Sequence, residues 1–242
     1  GLFPENPSKP YRTEDILKRL VDDSKLTYYK KGYGKTINCA YARIDGWAVG
    51  IVANQRQIVQ RRRGLSDAAQ EMQIGGVIYS DAADKGARFI RFCNAFNIPL
   101  LTLVDVPGFL PGVSQEQGGI IRHGAKMLFA YSSATVPKIT VILRKAYGLG
   151  AMAMAGGGFD RPHFCCAWPT GEVGAMGLEG AVRLGARDHL AAITDPQAPA
   201  FRSGVPTTSR AIRACTSAPA HPRSSTSRTT TAPSPTAPST SR

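Results

Sequence analysis

Residues 80–112, SDAADKGARFIRFCNAFNIPLLTLVDVPGFLPG, set a helix, a break and a buried strand in a row. Asp81 stands where a capping acid starts a helix, and Phe89, Phe92, Cys93 and Phe96 recur at the three-and-four spacing of one helical face. Pro99 ends that pattern. Leu100 to Val104 is then an apolar run of strand length, closed by the turn Asp105-Val106-Pro107-Gly108. The same order returns downstream. Gly118 to Ala134 predicts a helix with Ile121, Ala125 and Leu128 on its inner face, Pro137 stops it, and Ile139 to Leu143 predicts the next strand. Upstream, Tyr41 to Val52 reads as two strands around the Asp45-Gly46 turn. Beyond the Gly-rich run YGLGAMAMAGGG (147–158) lie a short strand from Phe164 to Trp168 and a helix through Glu179 to Leu184. Strand and helix alternate, which predicts an α/β fold with a largely parallel sheet buried under helices.

The chain has 242 residues, 43% of them hydrophobic, enough for one sizeable core. Residues 1–10 are Pro-rich and read as a linker; residues 11–196 read as a single globular domain. Residues 197–242 are almost wholly Ser, Thr, Pro, Ala and Arg and cannot bury enough apolar surface to offset chain entropy. They read as a disordered tail, or as the product of a reading-frame slip in GC-rich DNA. The net charge of +13 comes in good part from six arginines in that tail. With no basic stripe interleaved with aromatics, a nucleic-acid partner is not expected.

No apolar run approaches the length of a membrane span, so no membrane insertion is expected. The first residues lack the pattern of a secretory signal, and without an initiator Met the chain is expected to begin partway through a longer one. Five cysteines form no CxxC pair, and three sit among apolar neighbours, the pattern of free thiols in a reducing cytoplasm. Neither they nor the four histidines have metal-ligand spacing, so no metal is expected.

The Gly-rich run carries the most chemistry. Gly148, Gly150 and Ala153 match G-x-G-x-x-A after a strand, with Glu172 at the distance of a ribose-binding acid. Three readings fit: a dinucleotide turn, close helix–sheet packing, or backbone N–H groups aimed at a developing oxyanion. Gly118 and Gly119, at the start of the preceding helix, are a second place for anion-facing N–H groups. Of the side chains nearby, His123 has no carboxylate partner at helical spacing and reads as a surface or satisfied histidine rather than a base. Ser114 and Ser132 lie in no nucleophile elbow. Arg61, Arg62 and Arg63 read as a solvated run, Glu172 and Glu179 as helix-end acids, and Trp168 as core.

Four stretches then carry a resemblance: PENPSKPY (4–11), residues 80–112, GIIRHGAKMLFAYSSATVPKITVILRKAYG (119–148) and AWPTGEVGAMGLEGAV (167–182). Together they resemble the carboxyltransferase β subunits of biotin-dependent acyl-CoA carboxylases, and related decarboxylase subunits, over nearly all of residues 1–196. The resemblance implies a crotonase-like ββα superhelix. It also implies the C-terminal, biotin-side half of a two-half subunit, because PENPSKPY resembles the interdomain linker.

Its expected partners are an acyl-CoA-binding N-terminal half, a biotin carboxyl carrier with its biotin carboxylase subunit, and further copies of itself. The implied reaction moves a carboxyl group from carboxybiotin to the α-carbon of an acyl-CoA, with backbone donors in place of side-chain acids. Carried over by position, the oxyanion hole falls on Gly150 and Ala151, with Gly148, Leu149, Met152, Gly118 and Gly119 as biotin- or substrate-binding positions. Met152-Ala153-Met154 stands where short-chain carboxylases carry a polar residue, which points to a larger apolar acyl group. The family continues in helix after Asp195-Pro196, where this chain turns to its Ser/Thr/Pro/Arg tract. Two other readings stay open: a subunit of a biotin-dependent decarboxylase, or a non-catalytic assembly module. Gly150→Val is expected to abolish transfer with little effect on the fold.

Overall fold

The computed structural model describes residues 4, 6, 9–62, 70–155, 163–185 and 187. In chain order these form α1 (Thr13–Leu20), β1 (Thr27–Tyr28), β2 (Ile37–Ile44), β3 (Trp47–Asn54), β4 (Val59–Arg62) and β5 (Gln70–Gln73). After these come α2 (Ser80–Ala95), β6 (Leu100–Val106), α3 (Val113–Gln117), α4 (Ile120–Ser133) and β7 (Lys138–Tyr147). The last elements are α5 (Gly148–Met154), β8 (Phe164–Ala167), β9 (Glu172–Gly174) and α6 (Leu178–Gly185).

The Asp45-Gly46 turn sets the first pairing of the sheet. Both residues have positive φ (51° and 78°), the requirement of the tight hairpin turn whose twist matches its strands, and β2 meets β3 in register from Ile44↔Trp47 back to Ile37↔Asn54. From β3 onward the pairings are parallel: β6 beside β3, β7 beside β6, then β8 on the first half of β7 and β9 on the second. The main sheet runs β1-β2-β3-β6-β7-β8. It is therefore largely parallel, as expected, with the β2–β3 hairpin and β1 forming an antiparallel edge.

Successive side chains of a strand face opposite sides, and the core divides accordingly. Val52, Val104 and Ile142 pack under α2 and α4 with Phe89, Ile90, Cys93, Met127 and Tyr131. Ile51, Leu101, Leu103 and Leu143 meet Leu17 and Val21 on the other side, under α1 and the turn after it. Burial pushes the Cys39 and Cys93 thiols up to about 12, and both stay free. Lys138 donates from Nζ to the carbonyls of Tyr131 and Ala134 (3.0 and 2.8 Å), placing a cation at the C-terminus of α4 where the helix dipole favours it.

Several expectations shift by one position. Phe89 and Cys93 are buried, but Phe92 and Phe96 stack on each other outside, ring centroids 4.5 Å apart. In α4 the inward residues are Ile120, Gly124, Met127 and Tyr131, while Ile121 is 79% exposed. Close approach fixes that rotation. A Cβ on Gly86 would sit 3.0 Å from Met127 Sδ, and one on Gly124 would sit 2.9 Å from the Phe109 ring. Trp168 is exposed at the sheet edge, not in the core. The tail assigned to residues 197–242 lies outside the described residues.

Asp105 is the largest departure. The sequence places it in a turn, yet β6 continues through it to Val106 and its side chain is fully buried. Its Oδ2 accepts from Arg144 Nε (2.8 Å) and the Tyr11 hydroxyl (2.9 Å) and contacts Arg56 Nε at 3.4 Å; its Oδ1 accepts the Lys145 backbone N–H. Burial first, then the Asp105 charge, pushes the Tyr11 phenol up, so it remains a donor. Arg144 Nη1 in turn donates to the carbonyls of Asn6 and Lys9, which docks the first segment on the sheet. Asp105→Ala would strand two buried guanidinium groups and is expected to cost about 3–5 kcal/mol. Tyr11→Phe removes only one hydrogen bond and is expected to cost about 1 kcal/mol. Urea unfolding of the two variants checks that order.

Candidate active site

The site forms where parallel strands end. The carboxyl edge of a parallel sheet is open to ligands because each strand leaves it through a loop into a helix. Here β6 leaves through Pro107 to Gly112, and β7 leaves directly into α5 at Gly148, with Tyr147 as N-cap. Gly148 has φ +54°, a conformation open to glycine, and this sharpens the turn. An added Cβ there would lie 3.0 Å from the Ala175 carbonyl oxygen.

Helix geometry decides which N–H groups are free. With Tyr147 as N-cap, its carbonyl takes the bond from Ala151, and the N–H groups of Gly148, Leu149 and Gly150 have no intrahelical acceptor. Gly150 is buried, and a Cβ on it would come within 2.8 Å of Gly108 Cα and 3.0 Å of the Gly108 carbonyl carbon. The turn is thus wedged against the loop that leaves β6. The glycines let backbone meet backbone, and that contact fixes the turn that carries the N–H groups. Leu149 is 65% exposed and Met152 44% exposed, so an apolar rim surrounds them; Ala151 and Met154 face inward.

Gly118 and Gly119 behave differently. Their N–H groups donate to the carbonyls of Ser114 (3.0 Å) and Glu116 (2.9 Å), closing α3, and Gly119 at φ +80° is the N-cap of α4. Those donors are engaged within the chain. Glu172 lies on β9, not on a helix, and its Oε2 accepts from the Tyr147 hydroxyl at 2.5 Å, bracing the residue before the turn. Burial first, then the Arg56 charge, pushes the Lys145 ammonium down. Ser132 bonds back to the Leu128 carbonyl. The side chains of Arg61, Arg62 and Glu179 lie outside the described residues, as does Arg63.

His123 does have a carboxylate. Its Nδ1 lies 2.8 Å from Asp84 Oδ1, across the gap between α4 and α2, and Lys126 Nζ reaches the same oxygen at 3.2 Å. Partial burial opposes ionisation of Asp84, but its bonds to His123 and Lys126 outweigh that and hold its carboxyl below the usual range. The pair spans two helices, so no spacing along α4 could have signalled it. Among the described residues no group of three or more His, Cys, Asp or Glu could hold a metal, and no helix is long and apolar enough to cross a membrane.

Residues 1–227 match the family described as carboxyl transferase domain, so the match runs past Pro196. The chain is 47% identical over 198 residues to methylmalonyl-CoA decarboxylase subunit alpha of Propionigenium modestum, covering 82% of this chain and 35% of that protein. It is 46% identical to the propionyl-CoA carboxylase carboxyltransferase subunit of Haloferax mediterranei, covering 81% and 35%. A crystal structure of transcarboxylase 12S, described as a hexamer assembly with methylmalonyl-coenzyme A and methylmalonic acid bound, superposes with a TM-score of 0.74 at 44% identity over 87% of this chain and 37% of that one. The chain thus spans about a third of the length of each.

Gly150→Val changes its meaning in this setting. The added side chain meets Gly108 backbone that cannot step aside, so the fold should suffer too, by about 1–3 kcal/mol for overpacking. Leu149→Ala, at an exposed position, is expected to stay within about 0.5 kcal/mol of the parent. Thermal unfolding of both separates the wedge from the rim.

Proposed function

The chain belongs to the carboxyl transferase domain family and has its crotonase-like fold, and from that premise we propose that it is the biotin-side half of an acyl-CoA carboxyltransferase. The observation that carries this reading is the Gly148 turn: three N–H groups without intrahelical acceptors, at the carboxyl end of β7, held by Gly150 against Gly108. Carboxybiotin, brought by a separate carrier, supplies the carboxyl group, and its ureido oxygen gathers negative charge as that group leaves. This chain's part is to meet that charge. The N–H groups of Leu149 and Gly150 donate to the oxygen, with Gly148 beside them, and they need no reorganisation because the wedge already fixes them. Ala151, proposed by position as a donor, instead anchors the first helical turn.

Met152 is half-exposed beside those donors while Met154 is buried, so Met152 alone of the two can touch an acyl chain, and we assign it the apolar contact. The acyl-CoA itself would be held by an N-terminal half of the subunit, and the assembly would be oligomeric. A place in fatty acid metabolism and a cytoplasmic setting go with the reading; the buried free thiols Cys39 and Cys93 support the second. Carboxylase and decarboxylase use remain alternatives of direction, since relatives with both names match this chain at nearly equal identity.

The test is decarboxylation of a panel of carboxylated acyl-CoAs with free biotin, by this chain alone and mixed with the N-terminal half of a relative. Activity in the mixture alone is expected, and the best substrate names the acyl class. Silence in both with a folded chain would favour a non-catalytic module. In the active mixture Leu149→Asp should cut the rate by about 10²-fold, since its carboxylate occupies the donors that the oxyanion needs, and Leu149→Asn should cut it far less. An acid in the first turn suits a helix, so Leu149→Asp should not lower the melting temperature.

A further inference from the structure

A second concave site lies away from the Gly148 turn. A cavity of about 780 Å³ opens between α2, α4 and the 29–34 loop, lined by Lys30, Tyr33, Asp84, Arg88, Arg91 and Lys126. That volume suits a nucleotide-sized ligand rather than a lone ion. The charge is one-sided. Asp84 is its one carboxylate and is already bonded to His123 and Lys126. Among the described residues no carboxylate pairs with Lys30, Arg88 or Arg91. Like charges converging in a concave wall repel one another, and an anion between them relieves that repulsion.

The wall is also built rigidly. Lys85 is buried beneath it and donates from Nζ to the carbonyls of Ile37 (2.8 Å) and Gly34 (3.4 Å), tying the loop to α2. Gly34, at φ +54°, lies so close that a Cβ there would come within 2.8 Å of the Asp81 carbonyl oxygen. Lys30 sits over the Tyr29 and Tyr33 rings, and Arg91 over Phe129, so these cations are held in place without being neutralised. Tyr33, with Lys30 over its ring, is 43% exposed at the rim.

We propose that this groove binds a nucleotide through clustered phosphates, with Lys30, Arg88 and Arg91 on the phosphates and Tyr33 against the base. Arginine forks suit phosphate oxygens, and an aromatic face stacks on any base. The site does not depend on the carboxyl-transfer reading. Free nucleotides and the phosphorylated nucleotide end of coenzyme A share this chemistry, so both are probes.

Calorimetric titration of the full chain with pyrophosphate, ATP and coenzyme A tests the proposal. Saturable binding is expected from all three, tighter for the two nucleotides, and weakened by added salt. Whichever of ATP and coenzyme A binds more tightly identifies the source. The double variant Arg88→Ala, Arg91→Ala should weaken binding by at least about tenfold, the worth of one charge-assisted contact. Lys30→Ala, on the opposite wall, should weaken it as well and serves if the double variant does not fold. The proposal fails if no probe gives saturable heat up to about 1 mM, or if folded variants bind as the parent does.

Discussion

Everything at the working edge of the sheet is referred to one buried carboxylate. Asp105 binds Arg144 on β7 and Tyr11 before α1, contacts Arg56 after β3, and receives the β7 backbone at Lys145. Its own N–H donates to Asn54 Oδ1, and Asn54 holds the Gly76 carbonyl through Nδ2. Five chain segments far apart in sequence thus meet within a few ångströms. Two guanidinium groups face one carboxylate; Arg144 Nη1 donates to the carbonyls of Asn6 and Lys9, and Arg56 Nη1 to that of Gly75. A buried charge group of this kind is weak as a net source of stability and strong as a constraint, because any displacement exposes an unpaired ion to low dielectric.

The constraint reaches the candidate site along two strands. Asp105 lies one residue before the end of β6, and Arg144 lies three before the end of β7. The loop through Gly108 and the turn at Gly148 therefore depart from ends that cannot slide past each other. Gly150 then closes the gap by backbone contact with Gly108, while Glu172 bonds Tyr147 from β9. Donor groups for a transient anion gain their value from being fixed before charge develops. In the proposed site that fixity would come from strand register, a glycine contact and a buried ion cluster.

Sequence reading recovers what depends on local order. The alternation of Pro-punctuated helices and apolar strands gave α2, β6, α4 and β7, and Asp45-Gly46 gave the hairpin, because each signal lies within a few residues of its effect. It misses what depends on neighbours. Asp105 beside Pro107-Gly108 looks like a turn residue, since nothing near it announces Arg144, 39 positions on. The inner face of α4 is misread by one residue because Ile121 is as apolar as Ile120, and only the contacts of Gly86 and Gly124 tell them apart. Gly118 and Gly119 have the composition of an anion-facing helix start, but α3 before them claims their N–H groups. The Gly148 turn is legible because its geometry is local; its contact with the β6 loop at Gly108 is not.

The apolar residues left outside have a physical bearing on the chemistry. Leu149 and Met152 rim the donors, and Ile121 and Phe129 stay exposed on α4. Where such a turn meets water, a hydrogen bond from its N–H groups to an anion exchanges for one to solvent and gains little. The same N–H groups become strong electrostatic partners once water is excluded and the local dielectric falls. If the turn acts as proposed, a surface that covers it is part of what makes it act. Under the proposed function, the acyl-CoA-binding half or a second copy would supply that cover. Under that proposal the turn's geometry and the dry environment that gives it energy come from different surfaces and can be supplied separately.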